Sequence, residues 1–375
     1  MSGSKGKAVI AMSGGVDSSV AAWLMLEQGY ECIGVTLKLF DSDDINGKEN
    51  CSCSSQAAAF THKSCCSLAD VNDARNVAHR LGMPHYVLNF ADDFRDQVIR
   101  RFIETYEEGA TPNPCIDCNR YIKFERLLWR AKQLGFDTIV TGHYAQVEKD
   151  AGSGRFLLKK AADSGKDQSY VLYATTQEQL ACCKFPLGGL TKQEARAIAS
   201  GRGFINAEKH DSQDICFVPD GDYGSFIERY TGKRFPEGDI IDSKGVVLGR
   251  HRGLVRYTIG QRRGLGVAAG KALYVLGKSI EDNVVTLGPD ESLYTKSLTA
   301  DRINLIACAE LEKPLRVKVK TRYLQAEQDG VVEQTGYGSI RVDFDKPQRA
   351  VTPGQAVVFY DGDIVIGGGT IRGTA

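Results

Sequence analysis

The chain has 375 residues, 42% of them hydrophobic and 25% charged, enough for two or three domains with substantial cores. Its 47 basic and 47 acidic residues cancel, so no global field draws a nucleic acid and only a local patch could do so. No apolar run approaches the roughly 20 residues that span a bilayer, so a cytoplasmic protein with no membrane partner is expected, and there eleven cysteines read as ligands, catalysts or packing.

Residues 7–12, KAVIAM, predict a strand of a parallel sheet, not a leader peptide. It runs into Ser13-Gly14-Gly15-Val16-Asp17-Ser18-Ser19 and a helical pattern closed by Gly29. CIGVTLKLF, 32–40, predicts the second strand. Leu68, Val71, Ala74, Val77, Ala78 and Leu81 then recur at helical spacing behind a Ser67-x-x-Asp70 capping box. A strand over 86–90 and a helix over 92–109 follow, the helix with Phe94, Val98, Phe102 and Tyr106 on one face. Next come a helix over 120–135 and a strand over 137–141, before Gly142-His143.

Strands alternating with helices argue for a parallel sheet covered on both faces, with ligands at the carboxyl ends of the strands. The Ser-Gly-Gly loop sits at such an end. Its glycines let backbone amides converge on an anion, the next helix adds its positive N-terminus, and Ser13, Ser18 and Ser19 add hydroxyls. It lacks the lysine of a Walker A loop. Asp17 is out of place beside a phosphate, which predicts either a magnesium ion or a role in holding the loop. A plain Gly-Ser turn with a helix cap is the ordinary alternative, and the placement between strand and helix disfavours it.

From about residue 210 the helical periodicity fades. Segment 249–271 carries Arg250, Arg252, Arg256, Arg262, Arg263 and Lys271 without an acid, with His251 and Tyr257 interleaved. It is a basic patch suited to a phosphate backbone, or else a solvated basic face. Past about residue 280 alternation takes over, with Val317, Val319, Ile340, Val342 and Phe344 inward and a hairpin turning at Asp361-Gly362. Short strands at this spacing predict a small barrel.

SGGVDSS resembles the loop of the N-type ATP pyrophosphatases, PP-loop enzymes that cleave ATP between the α and β phosphates and adenylate a substrate oxygen. Further segments, SCCSLADVNDAR, TPNPCIDCNRYIKF, TGHYA, GKDQSYVLY, FPLGGLTKQEAR, DICFV, YTIGQRRGLGV, TRYLQ and AVTPGQAVVFYDGDIVIGGGTI, resemble in order the tRNA-specific 2-thiouridylases of the MnmA family. The resemblance implies an α/β fold: a PP-loop domain over 1–208, a small central tRNA-contacting domain over 209–280 and a C-terminal β-barrel over 281–375. Together these would grip the anticodon arm of a tRNA.

It also implies a reaction. ATP adenylates the C2 oxygen of the wobble uridine, and sulfur then replaces that oxygen as AMP leaves. Matched by position, Cys216 would carry the persulfide and Cys118 would be the nucleophilic, resolving cysteine. A sulfur-relay protein or a cysteine desulfurase would supply the sulfur. Ala11, Met12, Ser13, Gly14, Gly15, Val16, Asp17 and Ser18 would hold ATP and its Mg2+, with Leu37 and Gly142 lining the adenosine. Asn113, Pro114 and Cys115 would meet the target base, and His143, Lys166, Asp167, Gln168, Arg322, Tyr323 and Gln355 would touch tRNA. The residue types suit the chemistry, since a thiolate or persulfide is a strong soft nucleophile near neutral pH. Arg120, Lys123 and a helix start after Cys118 would favour the thiolate.

The family motif NPD-x-x-C-N has Asp where this chain has Cys115, so a carboxylate's proton handling cannot be inherited. Cys115, Cys118 and Cys216 are three thiolates, which could instead hold a [4Fe–4S] cluster with one iron open. A thioredoxin-like pair is disfavoured because no such βαβ context surrounds it. Cys51, Cys53, His62, Cys65 and Cys66 match no common zinc finger, and Cys32, Cys182, Cys183 and Cys308 read as packing. Two competing functions remain: an ATP pyrophosphatase acting on a small molecule, and a silent tRNA-binding protein that kept the fold.

Overall fold

The computed structural model describes residues 4–40, 67–210, 214–268 and 270–374, so the Cys51–Cys66 group lies outside the described residues. Two compact units divide the chain. The first holds Met1–Val98, Cys115–Gly221 and Asp363–Val365, the second Ile99–Pro114, Asp222–Gly362 and Ile366–Ala375.

The first unit is built from β1 (Lys7–Ala11), α1 (Val16–Glu27), β2 (Glu31–Lys38), α2 (Leu68–Arg80) and β3 (His85–Asn89), followed by α3 over 91–107, whose residues from Ile99 on belong to the second unit, and α4 over 114–133, whose first residue Pro114 does too. After them come β4 (Thr138–Val140), the antiparallel hairpin β5 (Gln146–Lys149) and β6 (Phe156–Lys159), α5 (Gln177–Ala181), β7 (Cys183–Lys184) and α6 (Lys192–Gly201). Five strands form an all-parallel sheet in the order β3-β2-β1-β4-β7. Apolar runs such as Ala8–Ile10 are fully buried because helices cover both faces, and α1 adds Val20, Ala21, Ala22 and Met25 to the same core.

Three local features bear on the sequence expectations. Periodicity puts Leu68 on the buried face of α2, yet it is 84% exposed while Asp70 is buried at 7%. The Ser67 cap does form, accepting from the Asp70 amide at 3.1 Å. The helix expected from residue 120 begins at Pro114, whose fixed φ and missing N–H suit the first helical position. Cys115 and Cys118 therefore lie within the first turns of α4, and Cys118 opens a π-helical stretch, Cys118–Arg126. Phe94, Val98, Phe102 and Tyr106 are buried along α3 as their spacing predicts.

In the second unit, α7 (Tyr223–Thr231) precedes β8 (Gly238–Asp242), β9 (Val247–His251), β10 (Tyr274–Ser279) and β11 (Val284–Gly288). They form a sheet in the order β10-β11-β8-β9 over a core that includes Ile240, Tyr257, Val275 and Leu287. β12 (Tyr294–Leu305), β13 (Leu315–Lys320), β14 (Gln328–Gly336), β15 (Ser339–Arg349), β16 (Ala356–Asp361) and β17 (Ile364–Thr374) follow in the order β12-β15-β14-β13-β16-β17. Antiparallel pairing of β12 with β17 closes these six strands into a barrel. Val317, Val319, Ile340, Val342 and Phe344 fill it. The last hairpin turns at Gly362 and Asp363, one residue later than expected.

Candidate functional site

The strand order reverses between β1 and β4, and the crevice at their carboxyl ends is where an open parallel sheet takes a ligand. Ala11 ends β1. Met12 is fixed by its amide on Val35 O at 2.8 Å and by Thr36 Oγ1 donating to its carbonyl at 2.8 Å. The chain then turns through Gly14, whose φ of +72° is left-handed and whose Cβ would lie 2.3 Å from the carbonyl oxygen of Asp70. Only glycine fits there. Ser13 donates its amide to Ser18 Oγ at 3.3 Å, while the Ser18 and Ser19 hydroxyls donate to Gly15 O at 3.1 and 3.0 Å.

The amides of Gly14, Gly15, Val16, Asp17 and Ser18 have no hydrogen-bond partner among the described residues. Open amides at the start of a helix such as α1 can take an anion on the helix's positive end. From the other side of the crevice, Gly142 passes so close that a Cβ would lie 2.7 Å from the Ser18 amide nitrogen. Leu37 is buried in β2, two residues past Val35, the partner of Ala11 in the sheet register.

Asp17, for which the sequence allows either a magnesium ion or loop holding, is bonded to two side chains distant in sequence. Lys192 Nζ donates to both carboxylate oxygens at 2.8 Å, and Tyr144 Oη donates to Oδ1 at 2.9 Å. The sequence singles out neither partner, although each lies in a motif that it does mark, TGHYA and FPLGGLTKQEAR. Asn206 and Lys209, which also reach the loop, carry no sequence signal at all.

The GKDQS segment is bonded inside its own unit. Asp167 Oδ1 accepts from the amides of Ala161 and Ser169, and Oδ2 from Ser169 Oγ at 2.8 Å. Gln168 Oε1 accepts from the Tyr144 amide at 2.9 Å, which ties this segment to the strand end beside Gly142. Lys166 is half-buried next to them. His143 lies edge-on to Phe185 and tilted against Phe124, with Nδ1 2.6 Å from Thr141 Oγ1. Burial and then the nearby Lys123 hold its pKa well below the usual imidazole range, so it is neutral at pH 7.

Cys115 is exposed and Cys118 half-buried on α4. Asn119, beside Cys118, is buried and bonded to Val171 O at 3.1 Å, and it accepts from Lys123 Nζ at 3.0 Å. Cys216 is half-buried in a turn whose next residues, Phe217 and Val218, are core residues; Phe217 packs edge-on to Phe94 at 5.7 Å. Among the described residues no three Cys, His, Asp or Glu side chains stand close enough to hold a metal ion.

The second unit carries the remaining residues. Gln355 Nε2 donates to the carbonyls of Thr111 and Pro112 at 3.0 Å, anchoring the chain just before Asn113 and the buried Pro114. Arg322 donates to Ala350 O, and Tyr323 is half-buried. In the basic segment, Arg250 faces Asp239 and Glu237, and Arg256 pairs with Asp222 and Glu228. Arg252, Arg262, Arg263 and Lys271 are exposed without an ion-pair partner among the described residues, and Arg262 and Lys271 line a cavity of about 670 Å³.

Family models match the whole arrangement: a "tRNA methyl transferase HUP domain" over 6–220, a "tRNA methyl transferase PRC-barrel domain" over 224–289 and an "Aminomethyltransferase beta-barrel domain" over 295–371. Among curated relatives, the tRNA-specific 2-thiouridylase MnmA of Acetivibrio thermocellus is 51% identical over 98% of this chain and 100% of its own length. MnmA 2 of Caldanaerobacter subterraneus is 50% identical over 98% of both chains, and MnmA of Clostridioides difficile 47% over the same shares. The domain descriptions speak of methyl transfer and the relatives of thiolation; the relatives, alike over the full chain at about half identity, are the more specific match.

Proposed function

This chain belongs to the family of the tRNA-specific 2-thiouridylases, and on that premise we propose that it is an ATP-dependent tRNA sulfurtransferase acting at C2 of the wobble uridine. The observation that carries the ATP half is the cradle of open amides from Gly14 to Ser18 at the crevice between β1 and β4. ATP, with its magnesium ion, lies with its phosphates on this cradle and its adenosine between Leu37 and Gly142. The amides and the start of α1 stabilise the charge that develops on the phosphates as the uridine C2 oxygen attacks the α phosphate and pyrophosphate leaves. Asp17, held by Lys192 and Tyr144, keeps the cradle in shape.

The uridine C2 carbonyl is a poor electrophile until adenylation makes AMP its leaving group. The terminal sulfur of a Cys216 persulfide then attacks C2 and AMP departs. Cys118 attacks the Cys216 sulfur, the new C–S bond keeps the transferred sulfur, and the two cysteines are left as a disulfide to be reduced for the next turnover. A sulfur-relay protein or cysteine desulfurase reloads Cys216. Asn113, Pro114 and Cys115 meet the base, while His143, Lys166, Asp167, Gln168, Arg322, Tyr323 and Gln355 contact the tRNA. The internal bonds of Asp167, Gln168 and Gln355 support a part in shaping that surface. Exposed Arg252, Arg262, Arg263 and Lys271 take its phosphates. No helix among the described residues is long and apolar enough to cross a membrane.

The test is AMP formation with and without tRNA, and mass spectrometry of the tRNA nucleosides after addition of a persulfide donor. AMP that depends on tRNA together with 2-thiouridine is the expected result. AMP formed equally well without tRNA would point to a small-molecule substrate instead.

A further inference from the structure

We infer that Asn206 and Lys209 are positioning residues of the phosphate loop, holding one glycine–glycine peptide in the orientation that turns its amide toward the polyphosphate. This rests on the reading of that loop as the ATP site. The carbonyl oxygen of Gly14 accepts from Asn206 Nδ2 at 3.0 Å and from Lys209 Nζ at 3.2 Å. In a trans peptide the C=O and the following N–H point in opposite directions. Fixing the Gly14 carbonyl inward therefore fixes the Gly15 N–H outward, among the open amides of the cradle. Because both residues are glycines, no Cβ resists a flip of that peptide, and a flipped peptide would present a carbonyl oxygen to a phosphate. The clamp supplies the orientation that sterics cannot.

Each clamp residue is itself held. Asn206 is 2% exposed, and its Nδ2 also donates to Ser19 Oγ at 2.9 Å, while its Oδ1 has no partner among the described residues. Its donor side alone makes the contact, so a carboxylate of the same shape would reverse the interaction. Lys209 Nζ donates to Asp70 and Asp73 at 2.6 Å each. Burial lowers its pKa, but the hydrogen bonds and charges of the two aspartates outweigh this and raise it, so it stays a cation. With two carboxylates on it, Lys209 is a fixed tether and not a phosphate ligand. This ion trio also accounts for Asp70 being buried on α2 while Leu68 faces out.

The experiment measures kcat and KM for ATP in tRNA-dependent AMP formation, with KM for tRNA and the melting temperature on the same preparations. Asn206→Asp and Lys209→Met are expected to lower kcat/KM for ATP by about 100-fold, the scale of a misplaced reacting group, with KM for tRNA within about twofold of wild type. Lys209→Arg can still reach both aspartates and is expected to keep activity within about tenfold. If the stronger variants do not fold, Asn206→Ser, which removes the amide without burying a charge, is expected to lose about tenfold. Folded variants with wild-type kcat/KM for ATP would overturn the clamp while leaving the ATP reading intact. A wild-type protein that makes no AMP from ATP would overturn both.

Discussion

At the scale of single residues the cysteines make distinct demands. Cys118→Ser and Cys216→Ser are each expected to lower tRNA thiolation by at least about 1000-fold, the usual effect of removing a nucleophile, with AMP formation less affected. Cys115→Ala should keep thiolation within about tenfold, measured as 2-thiouridine per tRNA, and anaerobically purified protein should hold no iron. Four irons per chain, lost in that variant together with activity, would instead make Cys115, Cys118 and Cys216 cluster ligands. Burial, then Glu31, pushes the Cys32 thiol up to about 11, and burial also raises Cys183. Iodoacetamide at pH 8 should therefore label exposed Cys115 well before either, as peptide mapping would show. His143 titrates lower in the folded state than in the unfolded chain, so protonation favours unfolding. The stability it contributes is present above the unfolded value near 6.5 and is lost as pH falls toward the lower folded value. Urea midpoints between pH 7.5 and 5.5 should show a slope from this site no steeper than about 1.4 kcal/mol per pH unit, absent in His143→Leu.

At the scale of elements, local chemistry explains where helices start and tertiary contacts explain which faces they bury. Thr191 caps α6 in a reciprocal capping box with Glu194, placing Lys192 at the first helical position, where it reaches Asp17. Thr191→Ala should cost on the order of 1 kcal/mol in urea denaturation, as the loss of such a cap does. The start of α4 is ambiguous in sequence because PNPCID carries loop residues, and a proline reads equally well as a break or as a first helical residue. On α2 the apolar periodicity identifies Ala74, Val77 and Ala78 correctly but not Leu68. No period along one helix can register that Lys209, 139 residues away, draws Asp70 inward.

At the scale of the whole molecule the net charge is zero, so binding of a polyanion falls to local patches. The sequence marks six cations between 250 and 271; the structure neutralises Arg250 and Arg256 with acids from other strands and a helix. Each phosphate held by a cation adds about one to the slope of log K for tRNA against log salt, so Arg262→Gln with Arg263→Gln should reduce that slope by roughly one to two. Arg256→Gln should lower the melting temperature and leave the slope unchanged. Filter binding across a salt series, with melting curves of the same variants, separates the two effects.

By itself the sequence determined the alternating strands and helices, the barrel that follows them, and the Ser-Gly-Gly loop at the end of the first strand. Those features are written in period, in glycine placement and in caps, all of which act over a few residues. The order of motifs also carried the family resemblance. Only the tertiary structure decided that Asp17 meets Lys192 and Tyr144, that Asn206 and Lys209 bond the Gly14 carbonyl, and which arginines stay without an ion-pair partner among the described residues. The contacts at the loop join residues 175, 192 and 195 positions apart, and a chain's local pattern holds no record of which distant side chain folding will bring to a given carbonyl or carboxylate.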